Sequence, residues 1–588
     1  MNTHEDGSSS RTNTTQLACV MGWLVGAGLL GLALIPTQAW LDWFLHPLNT
    51  LDGIPREELI AGVSLLRIML PIAGLGWIAW TLHLQSHQQQ AGPTRKSAGF
   101  SGRWMLAGAV LLMAGTALRL PLLEDSLWYD EIASFWYYGQ FGPGPIIGNM
   151  FTPANHTLQT LSSWTSVVAS GGSLEPAIIR LPALILGLAT IWPMSMLARD
   201  TFQSRPFLLL SIALLLLCPI AILESTEARG YAFMLFFGTG GSALLLRYLL
   251  TGQAALLSFY AVVTTLGIWS HLVTVVVPMG HAAFLIGAIV LTRRNVTATR
   301  SRAWCGLFAL TLAGITTLTA LSPVLPDLLS DSETFSANRS DQPDLLGREG
   351  INGLLGLGGA WSLLGGLTGL LLVCTGCMAA VRDKALRGPL LVTGLPLVVA
   401  LVLVSGLGTW VYARFLVFGL TFTILGIAAG LHLLWSSSRL LASLATALLL
   451  IGWGGDLLTR YQMPRQPIRE IMSGIPSDGR EIGFIGITDL GIILSWYADD
   501  PNRVVELPQT DAAEMTSQMP PGIGWIVIAY PSRTMPEIDL DALRRDLSTS
   551  GSETSRTLVE SFVVRDLKQG WIDDDGTVLL LERTGDAL

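Results

Sequence analysis

A series of long apolar runs limits this chain more than any other feature. Segments of spanning length fall at roughly 17–36, 62–84, 103–122, 178–198, 206–223, 231–250, 256–271, 273–291, 304–323, 358–380, 389–407, 411–434 and 439–457. That is about thirteen helices of the length a bilayer core requires. Composition agrees. The 588 residues are 51% hydrophobic and only 13% charged, with mean hydropathy +0.52, whereas a soluble domain carries about 25% charged residues. The chain reads as an α-helical polytopic membrane protein, not as a soluble protein with one anchor. The net charge of −8 decides little, because charge in such a protein matters by side. The sequence shows no basic cluster interleaved with aromatic residues, which excludes nucleic acid as a partner.

Loose Lys and Arg residues fall on alternate loops. Arg95, Lys96 and Arg103 lie in one, followed on the same side by Arg199 and Arg205, Arg247, and Arg293, Arg294, Arg300 and Arg302. Arg382, Lys384 and Arg387, then Arg439, continue that side. It is assigned to the cytoplasm together with the N-terminus. The opposite loops are acidic: Asp42, Asp52, Glu57 and Glu58 in 37–61, and Asp327, Asp331, Glu333, Asp341, Asp344 and Glu349 in 324–350. An odd number of spans then puts the C-terminal segment outside. The first apolar run lacks a basic flank beyond Arg11 and a small-residue cleavage pattern, so it is expected to be a retained span.

From about Arg460 the composition changes. Apolar, β-branched runs at 481–488, 523–529, 557–564 and 577–582 alternate with polar segments such as the helix-like 537–549. That pattern predicts a small α/β domain over 460–588. It contains no glycine-rich phosphate loop, and the expectation is packing or acceptor docking. The five cysteines lie in apolar runs; Cys374 and Cys377 have no second pair to complete a metal site and read as small residues on one helix face.

Chemistry is expected on the outer loops. The longest, 123–177, holds Leu127-Trp128-Tyr129-Asp130-Glu131 directly after an apolar helix, then Asn155 and His156 among many aromatic residues. A membrane-interface belt accounts for the Trp and Tyr residues. It does not account for an Asp-Glu pair, since acids at that depth are costly without a task. A second outer loop, Glu224 to Tyr231, places two carboxylates and Arg229 within eight residues. An exposed helix-end ion pair would contribute little there, whereas the planar guanidinium of Arg229 suits a phosphate. Arg414 stands at the outer start of an apolar run, where the positive-inside rule offers no reason for it. Snorkelling to headgroups is the alternative.

Four motifs in order, WYDEIASFWYYG, PANHTLQTLSSW, IIRLPALILGLATI and CPIAILESTEARGYAFMLFF, resemble the family 39-like membrane glycosyltransferases of the GT-C fold. These use dolichyl- or undecaprenyl-phosphate sugars. The family's Asp-Glu matches Asp130-Glu131, its His/Lys-Pro-Pro-Leu stretch matches His156-Thr157-Leu158, and its Arg-Leu-Pro matches Arg180-Leu181-Pro182. Its Gln-Glu-Ala-Arg-x-Tyr matches Thr226 to Tyr231. The prolines after His156 are absent here, and Thr226 replaces the Gln. The resemblance covers about 103–290 and implies a catalytic module at 103–325, preceded by two extra helices in 1–102 and followed by further helices in 326–459.

The resemblance also implies a plasma (inner) membrane enzyme of the cell envelope. It would move a hexosyl or pentosyl group from a polyprenyl-phosphate donor to a glycan, lipid or protein acceptor on the extracytoplasmic face. Asp130 is implied as the base, with Glu131 holding it or the acceptor. Arg229 is the candidate for the leaving phosphate, Arg414 is a second one read from its place at an outer helix end, and Glu227 is read as orienting the phosphate or a sugar hydroxyl. Tyr231 completes the substrate-binding motif, and His156 and His271 line the same site. The two histidines with a carboxylate would suffice for a divalent ion, although each alone is more often a hydrogen-bonding residue. A lipid-linked-sugar transporter or flippase remains as an alternative, but it predicts matched, broken-helix halves that are not found. A non-catalytic assembly protein remains as a second.

Overall fold

The computed structural model describes residues 6–51, 54–86, 102–152, 154–291, 297–330, 354–356, 360–407, 412–486, 491–507, 522–529, 557–559, 562–570 and 576–583. The chain is mostly helical, and eleven of the described helices are long and apolar enough to cross a membrane. Eleven of the thirteen expected runs correspond to these. The other two, 206–223 and 256–271, form shorter apolar helices, Arg205–Leu217 and Ala255–Ser270. The first is cut at Cys218 because Pro219 has no N–H to continue the ladder. A new short helix, Pro219–Glu224, starts there.

The chain forms two compact units. The first comprises Met1–Leu120, Phe141–Ser173 and Ile178–Leu457; the second comprises Pro121–Gln140, Leu174–Ala177 and Leu458–Leu588. In the first unit the spans Tyr231–Thr251 and Ala413–Ser437 are the innermost, with 78% and 83% of their apolar windows buried. Thr239 and Thr421 share a buried hydroxyl–hydroxyl bond of 2.7 Å between them. Helix Ala360–Arg382 lies against Leu420–Ser437 at backbone contact distance. A Cβ on Gly376 would stand 2.2 Å from the Gly426 carbonyl oxygen, and one on Gly430 would stand 2.1 Å from that of Leu372. Without a hydrophobic force between helices in lipid, such small-residue contacts supply the packing. The outer spans turn Leu24, Val290 and Leu371 outward. Apolar faces of that extent belong in hydrocarbon, and the protein is a multi-pass membrane protein.

Among the described residues the second unit carries a six-stranded mixed sheet. Its order is Val504–Glu506, Glu481–Ile485, Ile523–Ala529, Gly576–Arg583, Phe562–Gly570, Thr557–Val559. The first three strands are parallel and the last three antiparallel to their neighbours. Every residue of Ile523–Ala529 is buried, which explains why that strand reads as a continuous apolar run. Helix Gly491–Tyr497 connects the two parallel strands Glu481–Ile485 and Val504–Glu506. The expected helix at 537–549 lies outside the described residues. So do Asp52, most of the basic 85–103 segment, Arg293 and Arg294, and the acidic loop from 331 to 350.

Candidate functional site

In the first unit the Glu224–Tyr231 motif is a turn between helix Pro219–Glu224 and span Tyr231–Thr251. Its side chains are not at a solvated rim: Glu224, Glu227 and Arg229 are all buried. The turn is anchored by Arg119, a fully buried guanidinium that sequence reasoning missed. Its Nε donates to the Ser225 hydroxyl at 2.7 Å. Its Nη atoms donate to the carbonyls of Gly115, Leu216 and Ala221 at 2.7, 3.1 and 3.3 Å. The Leu216 carbonyl is at the end of the Arg205–Leu217 helix, beside the break at Pro219, while Gly115 belongs to the helix that leads to Arg119 and Ala221 to the next one. The available signal was an arginine inside the apolar run Ala117-Leu118-Arg119-Leu120. Gly187 lets the Pro176–Ala189 helix close on Ser225, since a Cβ there would stand 2.2 Å from the Ser225 Cβ.

The same unit gathers most of the residues expected to bind substrate. The Arg229 Nη1 donates to the Ala154 carbonyl at 2.8 Å, fixing the segment that leads to His156. The His156 and His271 rings stack at 4.4 Å between centroids and 20° between planes. Tyr231 lies 6.0 Å from the first and 5.2 Å from the second. Gly230 makes the approach possible: a Cβ there would stand 2.5 Å from the Ser270 carbonyl oxygen and 3.2 Å from each histidine. From the far side of the sequence, the 3-10 segment Ala413–Gly419 brings Arg414, whose Nε donates to the Tyr231 hydroxyl at 3.0 Å. The Arg414 guanidinium also lies over the Tyr412 ring at 3.9 Å, a cation–π contact. Phe415 meets the His271 ring edge-on at 5.1 Å.

The guanidiniums of this cluster act on both histidines. Burial lowers the proton affinity of both histidines, and the Arg229 and Arg414 guanidiniums lower it further. His156 falls well below the usual histidine range, and His271 falls to about 3. Both rings are therefore neutral at pH 7. The Nδ1 of His271 accepts from the Val273 N–H at 3.3 Å, which assigns the remaining proton to Nε2. The Nε2 atoms of His156 and His271 are buried with no hydrogen-bond partner in the protein. A polar atom so placed is costly unless a ligand meets it. Among the described residues no three His, Cys, Asp or Glu side chains form a metal-holding group.

In the second unit Asp130 and Glu131 open the helix Tyr129–Tyr137. Asp130 is half-buried and Glu131 fully buried. The Glu131 carboxylate accepts from the Trp128 N–H at 3.2 Å, so it caps its own helix and favours the helix dipole. The segment before the helix is fastened by residues 460–497, a connection sequence reasoning missed. Arg460 pairs with Asp125 at 3.1 Å, and the Arg469 guanidinium donates to the Glu124 carbonyl at 2.6 Å. The Ser126 hydroxyl donates to the Gln466 carbonyl at 2.6 Å, and the Gln466 side chain accepts from the Tyr129 N–H at 2.8 Å. The Tyr497 hydroxyl accepts from the Leu127 N–H at 2.6 Å and lies 3.3 Å from the Leu127 carbonyl. The Arg465 guanidinium covers the Trp128 ring at 3.5 Å.

A polytopic helical protein with a small mixed-sheet domain, carrying these motifs, is the class that the sequence resemblance anticipates. No family model matches the chain, and no curated protein matches it in sequence. Among solved structures it is similar to ArnT from Cupriavidus metallidurans bound to undecaprenyl phosphate. The identity is 12%, the TM-score 0.47, and 83% of this chain and 99% of that chain are covered. It is also similar to the Archaeoglobus fulgidus oligosaccharyltransferase tethered with an acceptor peptide, at 12% identity and TM-score 0.44, over 74% of this chain and 70% of that one. A third is the arabinofuranosyltransferase AftD from Mycobacteria, at 15% identity and TM-score 0.41, over 84% of this chain and 41% of that one. Each of these likenesses, at 12–15% identity and a TM-score below 0.5, is one of similarity alone.

Proposed function

We propose that the protein is an integral-membrane glycosyltransferase that moves a sugar from a polyprenyl-phosphate donor to an acceptor on the extracytoplasmic face. The observation that carries this is the cluster of buried Arg229, Tyr231, His156 and His271 with half-buried Arg414. It joins two guanidiniums to a histidine whose Nε2–H has no protein partner. Two guanidiniums and a ring N–H suit the phosphate of a lipid-linked donor, whose charge grows as the glycosidic bond breaks. Preorganised donors stabilise developing charge most where water is excluded. Glu227, on the same turn, orients the phosphate or a donor hydroxyl. The resemblance supports Asp130 as the base that takes the proton from the acceptor hydroxyl, with Glu131 setting the helix end on which Asp130 stands.

In the reaction the resemblance implies, the acceptor oxygen attacks the sugar's anomeric carbon, its proton passes to a carboxylate base, the role assigned to Asp130, and the polyprenyl phosphate leaves with the bonding pair. Assay of the purified protein in lipid nanodiscs with a radiolabelled polyprenyl-phosphate sugar tests this. The wild type transfers label, Asp130→Asn does not although it still binds donor, and Arg229→Ala loses donor affinity more than acceptor affinity. Full transfer by Asp130→Asn would remove the base assignment. Passage of the labelled lipid between leaflets with no transfer would favour the flippase reading.

A further inference from the structure

The second unit contains a cavity of about 430 Å³ walled by the Tyr129–Tyr137 helix and its exit on one side and by Gly491–Tyr497 on the other. That size falls in the ~300–1,000 Å³ range of small-molecule sites. Its walls are rings: Phe135, Trp136, Trp496 and Tyr497. Phe135 and Trp496 meet edge to face at 6.0 Å. Gly139 lets Phe135 lie back across its own chain, because a Cβ there would stand 2.6 Å from the ring. The polar lining is mixed and close to neutral. Gln140 and Glu175 stand exposed, and Ser495 is half-buried. Arg469 also lines the space, but its guanidinium bonds the Glu124 carbonyl and lies 3.8 Å from Glu470.

We propose that this cavity takes a saccharide, the sugar portion of the acceptor. A pyranose has one face of C–H bonds that lies on aromatic rings and a rim of hydroxyls that both donate and accept. The cavity offers the matching pair: π faces on its walls, and an amide, a carboxylate and a hydroxyl to meet the rim. A lipid tail would set hydrocarbon against the exposed Glu175 carboxylate and the exposed Gln140 amide, whose Nε2 donates to the Trp136 carbonyl. An anionic ligand would find one guanidinium, already engaged, beside a carboxylate. The site is also joined to the chemistry. Tyr497 lines the cavity with its ring, while its hydroxyl holds both backbone polar groups of Leu127, three residues before Asp130. The identity of the acceptor class rests on the transferase reading; the binding of sugar does not.

The test uses the full chain in lipid nanodiscs, without maltoside or glucoside detergents, which carry sugar headgroups. Methyl α-mannopyranoside, methyl β-galactopyranoside and methyl β-N-acetylglucosaminide are added one at a time, without donor. Binding is read by saturation-transfer NMR and by quenching of tryptophan fluorescence. At least one of the three binds the wild type. Trp136→Ala and Trp496→Ala each weaken that binding about tenfold, the upper size of one aromatic contact. Trp496→Phe keeps most of it, which separates lost stacking from a misfolded unit. Arg229→Ala binds as the wild type does. Absence of binding by all three glycosides, or binding unchanged in the Trp136→Ala/Trp496→Ala double variant, overturns the proposal. Transfer activity that persists without glycoside binding removes the cavity and leaves the transferase. Binding without transfer does the reverse.

Discussion

Gly230 shows how much one missing side chain does at this site. Its φ of −67° is ordinary, so conformational freedom is not the reason for glycine. The reason is the Ser270 carbonyl 2.5 Å from where a Cβ would sit, with the His156 Cγ and the His271 Cβ each 3.2 Å away. Gly230→Ala must therefore push the Ser270–His271 backbone away, and overpacking of this kind costs roughly 1–3 kcal/mol. The expected outcome is an inserted protein with a lower thermal midpoint and a strongly reduced transfer rate, measured in the same preparation. The stacked histidines make a second prediction. Their folded proton affinities are lowered below the ordinary value of 6.5, by burial first and then by the guanidiniums. The unfolded chain binds the extra protons, so the stability their neutral rings contribute is complete above pH 6.5. It is lost progressively as pH falls from there toward about 3. The thermal midpoint should drop between pH 7.5 and 5, and the drop should shrink in His271→Gln.

At the scale of elements, the loop before the Asp130 helix has an order that its own residues do not supply. Leu127 makes both its backbone bonds to Tyr497, 370 positions later. Tyr497→Phe keeps the ring in the cavity wall and leaves the Leu127 N–H without its acceptor, at a cost of about 1–3 kcal/mol if the amide stays buried. Hydrogen exchange should rise locally at 124–131 and transfer should fall, with little change in global unfolding. Equal exchange in the two proteins would show that the bond does not order the loop. This connection was not legible in the sequence. The Asp-Glu pair and the Glu-Ala-Arg-Gly-Tyr turn were, because each is local, sits at a span end and is costly without a task. The clasp by Arg460, Arg465, Gln466, Arg469 and Tyr497 joins positions hundreds of residues apart, and such pairings leave no period. Arg119 escaped for a different reason. Hydropathy averaging passes over a single charge, and its role appears only once the break at Pro219 places the Leu216 carbonyl within its reach. The spans and the strands were readable because each repeats a simple pattern, a long apolar run or a short β-branched one.

At the scale of the molecule, the C-terminal residues are more than an appendage to a membrane bundle. The second compact unit draws Pro121–Gln140 and Leu174–Ala177 out of the membrane-helix sequence and folds them with Leu458–Leu588. The sheet behind them is closed by its own ion pairs. Arg480 bridges Asp478 and Glu582 at 2.7 and 3.0 Å, and Arg503 joins Asp478 at 3.2 Å. A chain ended after Leu457 should still insert, because the spans Tyr231–Thr251 and Ala413–Ser437 and their neighbours find their partners within the first unit. It should not transfer sugar. Removing residues 458–588 takes away the partners of Glu124, Asp125, Ser126, Leu127 and Tyr129 at once. An unclasped loop must then order itself around the acceptor at roughly 1–2 kcal/mol for each residue fixed. Protease protection of the truncated protein in membranes, set beside its transfer activity, separates the two effects. Protection as in the full chain with activity lost fits a positioning role for the C-terminal unit. Activity retained by the truncated chain would show that Asp130 acts without it.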